Sequence, residues 1–183
     1  MRFRLGFVSL ALSVLAPLGS FAERAAAAEL SLAIEVPQLA VAEYHRPYVA
    51  MWLEKEDQSV AANLGVWYES ARKEGAGPKK EGTKFLAELR QWWRRSGRNQ
   101  AFPIDGVTGP TRPAGTHQLR FTSAQPPLAS LAAGKYKLVV EAARESGGRE
   151  VVRIPFEWPA KTAQSLIVKG EHELGTVALN LTP

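Results

Sequence analysis

The groups in this chain best suited to proton transfer or metal binding are its three histidines, His45, His117 and His172. Histidine serves both purposes near neutral pH, usually with a second acid, base or ligand beside it. The three lie in separate segments, and the sequence contains no nucleophile elbow, phosphate loop or zinc-protease helix motif. Because the chain also contains no cysteine, thiolate metal sites and thiol catalysis are excluded. We therefore expect no catalytic residue, no metal site and no cofactor.

Charged residues at predicted strand ends and in long loops are the candidates for binding, because loops on a rigid framework commonly carry recognition groups. These candidates are His45, Arg46, Asp105, Arg112, Arg144 and Glu145. One alternative is an enzyme that uses His45 and Asp105 as its acid and base. His45 is better explained as a loop histidine with one hydrogen bond, and Asp105, which precedes a glycine, as a turn former.

A basic run adds two further binding candidates, Arg94 and Arg95. Residues 72–98 carry nine basic and three acidic side chains, an excess that can attract anions but that is also typical of a solvated face. The preceding Trp92 and Trp93 can stack on a ligand beside these cations. Both tryptophans, however, share a helical stripe with the apolar residues before them. We therefore expect the tryptophans to pack the helix onto a sheet and the arginines to remain available to a partner.

The N-terminus has the three parts of a secretory signal peptide. Arg2 and Arg4 form a basic start, Leu5–Leu18 is mostly apolar, and small residues follow. The apolar stretch is shorter than the ~20 residues that a membrane-spanning helix needs. We expect cleavage after Ala28, which leaves residues 29–183 as a single exported domain with no stable membrane insertion.

The small net positive charge indicates that nucleic acid is not a partner. The formal net charge is +5, and removal of the signal peptide, with its three arginines and one glutamate, lowers it to +3. A nucleic-acid-binding domain normally has a stronger basic excess.

Apolar patterning predicts about eight strands and one substantial helix. The predicted strands are Leu30–Val36, Tyr48–Leu53, Val60–Tyr68, His117–Thr122, Lys135–Arg144, Glu150–Trp158, Gln164–Lys169 and Glu173–Leu181. Residues 71–82 are predicted to form a polar loop, and the helix is expected to begin at Thr83 as its N-cap and to end at Gly97. Three prolines and three glycines predict that residues 99–116 form an irregular connection.

The hairpin formed by the fifth and sixth of these strands permits a register prediction. A register that keeps the apolar residues on one face and pairs opposite charges on the other is the most stable one. The predicted pairs are Ala142 with Val152, Leu138 with Phe156, Tyr136 with Trp158, Glu141 with Arg153, and Lys137 with Glu157. Pro155 cannot donate a ladder hydrogen bond, so its strand is expected at a sheet edge or at a bulge.

These elements predict a mostly β fold. No pattern of strands alternating with helices indicates a parallel sheet. The predicted architecture is an antiparallel immunoglobulin-like β-sandwich of about eight strands with one inserted amphipathic helix.

The chain resembles the family of predicted periplasmic proteins known as domain of unknown function 2271. The resemblance rests on the segments Arg46–Glu54, Phe85–Arg94, Asp105–Thr116 and Gly134–Glu145. It implies a Gram-negative periplasmic protein whose gene neighbours encode membrane redox proteins of the PepSY type and flavin-transfer proteins. Members often have a histidine after the Ala-Ala-Arg-Glu run, where this chain has Ser146, and this difference argues against a bound cofactor.

The leading hypothesis is therefore a non-catalytic periplasmic accessory protein that serves a membrane-associated redox or metal-uptake system. Its partner would be a membrane-associated protein. Residues 113–116 and 133–136 also resemble the immunoglobulin-like repeat of the flagellar hook cap, which implies a structural or assembly module as the second hypothesis. An enzyme of unknown type is the third.

Overall fold

The structure, a computed structural model, describes residues 27–69 and 82–183. This part of the chain is mostly β, as predicted, and contains nine strands. The strands are β1 (Glu29–Val36), β2 (Tyr48–Glu54), β3 (Val60–Tyr68), β4 (Thr108–Pro110), β5 (Gly115–Thr122), β6 (Gly134–Ala143), β7 (Arg149–Trp158), β8 (Gln164–Lys169) and β9 (Thr176–Thr182). The predicted signal peptide and the predicted loop 71–82 lie outside the described residues except at positions 27, 28 and 82.

The strands form two sheets. A four-stranded sheet has the order β5-β1-β9-β8, and a five-stranded sheet has the order β4-β3-β2-β6-β7. Every neighbouring pair is antiparallel except β3 with β4. The two sheets pack face to face, because one apolar cluster contains side chains from both. Strand β7 is at an edge, where the prediction for Pro155 placed it.

A third layer explains why strand β2 is buried along its whole length. One face of β2 contributes to the cluster between the sheets. Its other face, which includes Trp52, packs under a helical segment in a second apolar cluster. A strand covered on both faces has no polar side to present. Strand β1 instead alternates between buried and half-buried residues, because only one face of its sheet is covered.

The helical segment is not the single helix that was predicted. It consists of a 3₁₀ helix at Gly82–Glu88, the helix α1 at Arg90–Arg95 and a 3₁₀ turn at Gly97–Asn99. Thr83 therefore lies within the first 3₁₀ helix and is not an N-cap. A Cβ atom on Gly97 would lie 2.5 Å from the ring of Trp92, so close packing, rather than a helix end, requires this glycine.

The apolar stripe of this segment packs as predicted. Leu86, Leu89 and Trp92 are fully buried against the five-stranded sheet, and Phe85 and Trp93 pack partly buried beside them. Burial of each large apolar side chain stabilises the fold by ~1.5–3 kcal/mol. This packing attaches the basic residues of α1 to the outer side of the sheet.

The predicted register of the β6–β7 hairpin is wrong by two residues. Val140 faces Val152, Leu138 faces Ile154, and Glu141 faces Val151 rather than Arg153. Apolar residues keep the predicted face because a shift of two preserves the alternation of a strand. The shift follows from a tighter turn, in which Arg144 pairs with Gly148 and Ser146 has a left-handed φ of 54°.

The connection 99–116 is also more regular than predicted. Thr108–Pro110 forms β4, which runs parallel to the end of β3 and pairs with Val66–Tyr68. Pro110 ends this short edge strand, a position that a proline tolerates. In the described ranges no helix is long and apolar enough to span a membrane.

Candidate functional site

Most of the binding candidates in the loops gather at one end of the five-stranded sheet. The first residue of β2, Tyr48, pairs with the last residue of β6, Ala143. Tyr68 at the end of β3 lies on the other side of Tyr48 and pairs with Pro110. This pairing brings three segments to the same end, which we call the loop end. Its candidates are His45, Arg46, Arg112, Arg144 and Glu145.

Arg144 at the loop end is held inside the protein. Its Nε and Nη2 atoms each donate to a carboxylate oxygen of Glu173 at 3.1 Å, and both side chains are less than a tenth exposed. Gly148 donates its backbone N–H to the same carboxylate, and a Cβ atom on Gly148 would lie 2.5 Å from that oxygen. Arg144 therefore ties the β6–β7 turn to the loop before β9.

A second carboxylate fixes the same loop. Glu150 accepts the backbone N–H groups of four consecutive residues, Glu171 to Leu174, at 2.6–3.1 Å. Burial alone would raise the pKa of Glu150, but the four donors stabilise the charged form and lower the pKa below its ordinary value of 4.5. The ion pair and this cradle make the loop a rigid part of the fold.

The remaining candidates at the loop end are solvent-facing. The His45 ring lies 3.1 Å from the Glu43 carboxylate, and Arg46 and Glu145 are exposed. The Arg112 guanidinium lies over the Trp67 ring at 5.5 Å, and His117 contacts the same ring edge-on. Asp105 is exposed in the turn before β4. No group of three acidic or histidine side chains in the described residues has the geometry to hold a metal ion.

The other candidates, on helix α1, depend on a buried carboxylate. Glu141 on β6 has no exposed surface and accepts the backbone N–H groups of Gln91 and Trp92 at 2.9–3.1 Å. These donors belong to the first turn of α1, which has no carbonyl partner for them. Leu89, the residue before the helix, supplies no side-chain cap. Glu141 therefore replaces the local cap and fixes where α1 begins.

The same carboxylate positions Arg149 from strand β7. Its Nη1 atom donates to Glu141 Oε1 at 3.0 Å, while a third of the arginine side chain remains exposed. Arg153, four residues further along β7, donates to the side-chain oxygen of Gln91. Two guanidinium groups from the sheet are thus held against the first turn of α1.

The helical segment and Arg149 enclose a cleft of about 420 Å³, which we call the arginine cleft. Its walls are Ala87, Arg90, Gln91, Trp93, Arg94 and Arg149. Trp93 is half-buried and stacks on Phe102, with ring centroids 6.4 Å apart and planes 18° from parallel. The cleft therefore combines three guanidinium groups with one aromatic wall.

Arg94 has the most available charge in the arginine cleft. It is exposed, its Nε donates to the backbone oxygen of Arg90, and no carboxylate pairs with it in the described part of the chain. Arg90 lies 3.9 Å from the exposed Glu88, a pair that contributes little in water. Guanidinium groups bind carboxylates and phosphates through two parallel hydrogen bonds. This arrangement can bind an anionic group.

Arg95, the neighbour of Arg94, points to a different place. It forms an ion pair with Glu54 at 3.2 Å and hydrogen bonds with Gln58 in the β2–β3 turn. The structure thus separates the two helix arginines that the sequence placed together.

Sequence reasoning missed two arginines of the cleft, Arg90 and Arg149, and the buried Glu141 that holds Arg149 and the start of α1. One signal was present. The outward positions of β6 around Glu141 are Val139 and Ala143, which are too apolar for a solvated face. A lone glutamate among them indicates a covered face with a buried acceptor.

The fold and the surface define a general class of protein, a two-sheet β protein with a helical layer and an exposed arginine cleft. Comparison with family models identifies the family. The family model described as "Predicted periplasmic protein (DUF2271)" matches residues 29–176. The chain belongs to this family, and its periplasmic location follows from that membership. No curated protein and no solved structure gives a significant match.

Proposed function

We propose that this protein is a non-catalytic periplasmic binding protein that recognises an anionic group of its partner through the arginine cleft. The observation that carries the proposal is Arg94, which is exposed and without a carboxylate partner in the described residues, beside Arg90 and Arg149. Charged groups collected in a concave surface raise the local concentration of anionic partners.

The cleft is suited to recognition because part of it is already ordered. Arg149 is held by Glu141, and the wall residue Gln91 is held by Arg153, so these two wall side chains lose little conformational freedom when a ligand binds. Preordered groups of this kind increase affinity by lowering the entropy cost of binding. Trp93 adds a rigid aromatic surface, a residue type enriched at binding hot spots.

A membrane-associated protein of a redox or metal-uptake system is the partner we propose. The family resemblance is the support for this choice. The arginine cleft supplies a surface for a partner that presents carboxylates or phosphates. Arg46, Arg112 and Glu145, exposed at the loop end, form a second surface for the same partner.

Site-specific photo-crosslinking in the periplasm of the host tests the proposal. A photo-reactive amino acid replaces Ala87, which is exposed in the cleft wall, and in a control it replaces Gln118, exposed on β5. We expect an adduct with one membrane-fraction protein from position 87 only. The double variant Arg90→Gln and Arg94→Gln should remove this adduct, whereas Arg120→Gln, an exposed arginine on β5, should not. Equal adducts from both positions, or an adduct unaffected by the double variant, would overturn the proposal.

A structural or assembly module of immunoglobulin-like topology is the second candidate. One observation favours it: Ile167 is 65% exposed in the middle of the edge strand β8. Exposed apolar edges invite pairing with another chain. Sedimentation equilibrium of the wild type and of Ile167→Lys tests this candidate. Concentration-dependent association that the variant abolishes would support it, and a monomer at all concentrations would exclude it.

A further inference from the structure

Strand β3 has an open edge over its first half. Strand β2 pairs along the whole of β3, but on the other side β4 covers only Val66–Tyr68. From Val60 to Gly65 the edge that faces away from β2 has no strand partner in the described part of the chain. An uncovered edge presents backbone donors and acceptors at the spacing that another strand would use.

A groove of about 560 Å³ runs along this open edge, and we call it the edge groove. One wall is the β2–β3 turn and the start of β3, from Gln58 to Asn63. The other wall comes from the end of the helical segment and consists of Arg95, Ser96, Asn99 and Gln100. It is separate from the arginine cleft and shares none of its lining residues.

Two irregularities distort β3 at this groove. The register with β2 shifts between Met51 and Trp52 and again between Leu53 and Glu54. Each shift leaves one residue of β3 without an opposite partner on β2, namely Leu64 and Ala61. Bulges of this type bend a strand, and they are frequent beside functional sites.

Hydrogen bonds fix the polar groups at the base of the groove. Trp92 Nε1, which can only donate, donates to the side-chain oxygen of Asn63 at 2.9 Å. The amide nitrogen of Asn63 therefore points the other way and donates to Ser96 Oγ at 2.9 Å. Ser96 is 7% exposed, and its hydroxyl proton has no acceptor in the described residues. Asn63 and Ser96 each keep one hydrogen-bond donor for a ligand.

The rim of the groove is fixed in a similar way. Gln58 has a left-handed φ of 67°, an unusual conformation for a residue other than glycine. Arg95 donates to both the backbone oxygen and the side-chain oxygen of Gln58. The Gln58 amide nitrogen consequently points away from Arg95 and can donate to a ligand. Glu54, which is 2% exposed, pairs with Arg95, so the only charged side chain of the lining is neutralised.

We propose that the edge groove binds an extended, uncharged segment of a partner polypeptide, which adds as a strand beside β3. On one side the segment would pair with the open backbone of β3, the mode of strand addition used in many peptide complexes. On its other side it would meet Asn99 and Gln100, whose carboxamides carry the same donor and acceptor groups as a peptide unit. Small side chains fit best, because Val60, Ala61 and Ala62 form the apolar part of the lining.

Selection from a random heptapeptide library displayed on phage, with the purified chain from residue 29, tests this proposal. We expect enrichment of uncharged peptides rich in small and β-branched residues. A synthetic copy of an enriched peptide, blocked at both ends, should shift the backbone amide signals of residues 60–63 and 99–100 in a ¹⁵N–¹H spectrum.

Two variants and one control make the result specific. Asn99→Ala combined with Gln100→Ala removes exposed amides and should weaken peptide binding by about tenfold, the effect of losing roughly one or two hydrogen bonds. Ala61→Pro removes a backbone donor at a bulge, where proline is tolerated, and should weaken binding by at least as much. Gln118→Ala on β5 and the Arg90→Gln, Arg94→Gln pair should leave binding unchanged, which separates this site from the arginine cleft.

Several outcomes would overturn the proposal. These are the absence of any enriched peptide, equal binding to all the variants, and shifts confined to residues outside the groove. A fourth is a shift of the groove amides by the neutral sugar chitotriose but by none of the peptides, which would reassign the groove to oligosaccharides.

Discussion

Two arginines that flank the same hairpin turn have opposite surroundings. Arg144, just after β6, forms two hydrogen bonds with Glu173 and is 8% exposed. Arg149, the first residue of β7, forms one hydrogen bond with Glu141, and 37% of its side chain remains exposed in the arginine cleft. The loop end thus uses its arginine to hold the fold together, whereas the helical face leaves arginines available for a ligand.

The difference comes from how each carboxylate is satisfied. Glu173 accepts hydrogen bonds from Arg144 and from the Gly148 N–H, and both charges of the ion pair are buried. Glu141 accepts hydrogen bonds mainly from two helix N–H groups. Arg149 on the edge strand β7 therefore adds only one further hydrogen bond to this carboxylate. A buried carboxylate can therefore either immobilise an arginine or position it at a surface.

The buried ion pair of Arg144 and Glu173 should be the most sensitive to substitution. Glu173→Ala would leave the Arg144 charge buried and unpaired, which costs about 3–5 kcal/mol of unfolding free energy. Urea denaturation measures this loss, and Glu171→Ala, an exposed neighbour, should change stability by less than about 0.5 kcal/mol. A loss below about 1 kcal/mol for Glu173→Ala would show that Arg144 is not structural and would return it to the list of binding residues.

The Glu141 site should be the second most sensitive. Glu141→Ala leaves two helix N–H groups and part of Arg149 without an acceptor, so we expect a loss of about 2–3 kcal/mol. The near-ultraviolet circular dichroism of Trp92 should change with it, since that residue lies on the helix that Glu141 holds. Glu157→Ala, an exposed position on β7, is the control. A normal tryptophan signal in Glu141→Ala would show that packing alone orders α1.

A smaller effect should be the dependence of stability on pH that Glu150 gives to the loop end. The pKa of Glu150 is lowered from 4.5 by the four N–H donors of the loop end. A lowered carboxylate pKa stabilises the fold above the unfolded-state value, and the contribution disappears as the pH falls through the folded-state pKa. Acidification below about pH 4.5 should therefore weaken the wild type more than Glu150→Gln, which has no carboxylate to protonate at this position. If the unfolding free energies of the two proteins changed with pH in parallel, the four N–H donors would not stabilise the Glu150 carboxylate.

The arginine cleft should show the smallest effect on stability. Arg94→Gln removes an exposed charge, so we expect less than about 0.5 kcal/mol of change in unfolding free energy. Anion binding, measured by calorimetry with inorganic pyrophosphate, should nevertheless fall by at least tenfold, because charge-assisted hydrogen bonds are lost. A strong destabilisation without loss of pyrophosphate binding would mean that Arg94 is a structural residue, as Arg144 is, and not a binding residue.

Local patterns predicted much of this fold. The alternation in β1 and the double-sided apolar run of β2 are properties of short segments and were predicted correctly. The β6–β7 register was wrong because charge matching placed Glu141 in water, while the helical layer buries it. Charge pairs decide a register only on a face that solvent reaches.

The candidate site was less predictable, because long-range contacts decide the role of each arginine. Arg144 and Arg149 look alike in the sequence, and their difference depends on a loop some 25 residues later in the chain and on a helix some 50 residues earlier. Arg94 and Arg95 likewise diverge only because Glu54 lies under one of them. Sequence alone therefore identified the basic region but not which guanidinium groups remain available.

The arginine side chains themselves can be followed during a titration with an anion. In a ¹⁵N–¹H spectrum of the Nε–Hε groups, pyrophosphate would be titrated into the protein at constant ionic strength, with sodium chloride as the matched control. We predict saturable shifts for Arg90, Arg94 and Arg149 and none for Arg144. Shifts that are equal for all four, or that sodium chloride reproduces, would mean that the arginine cleft is not a binding site distinct from a structural loop end.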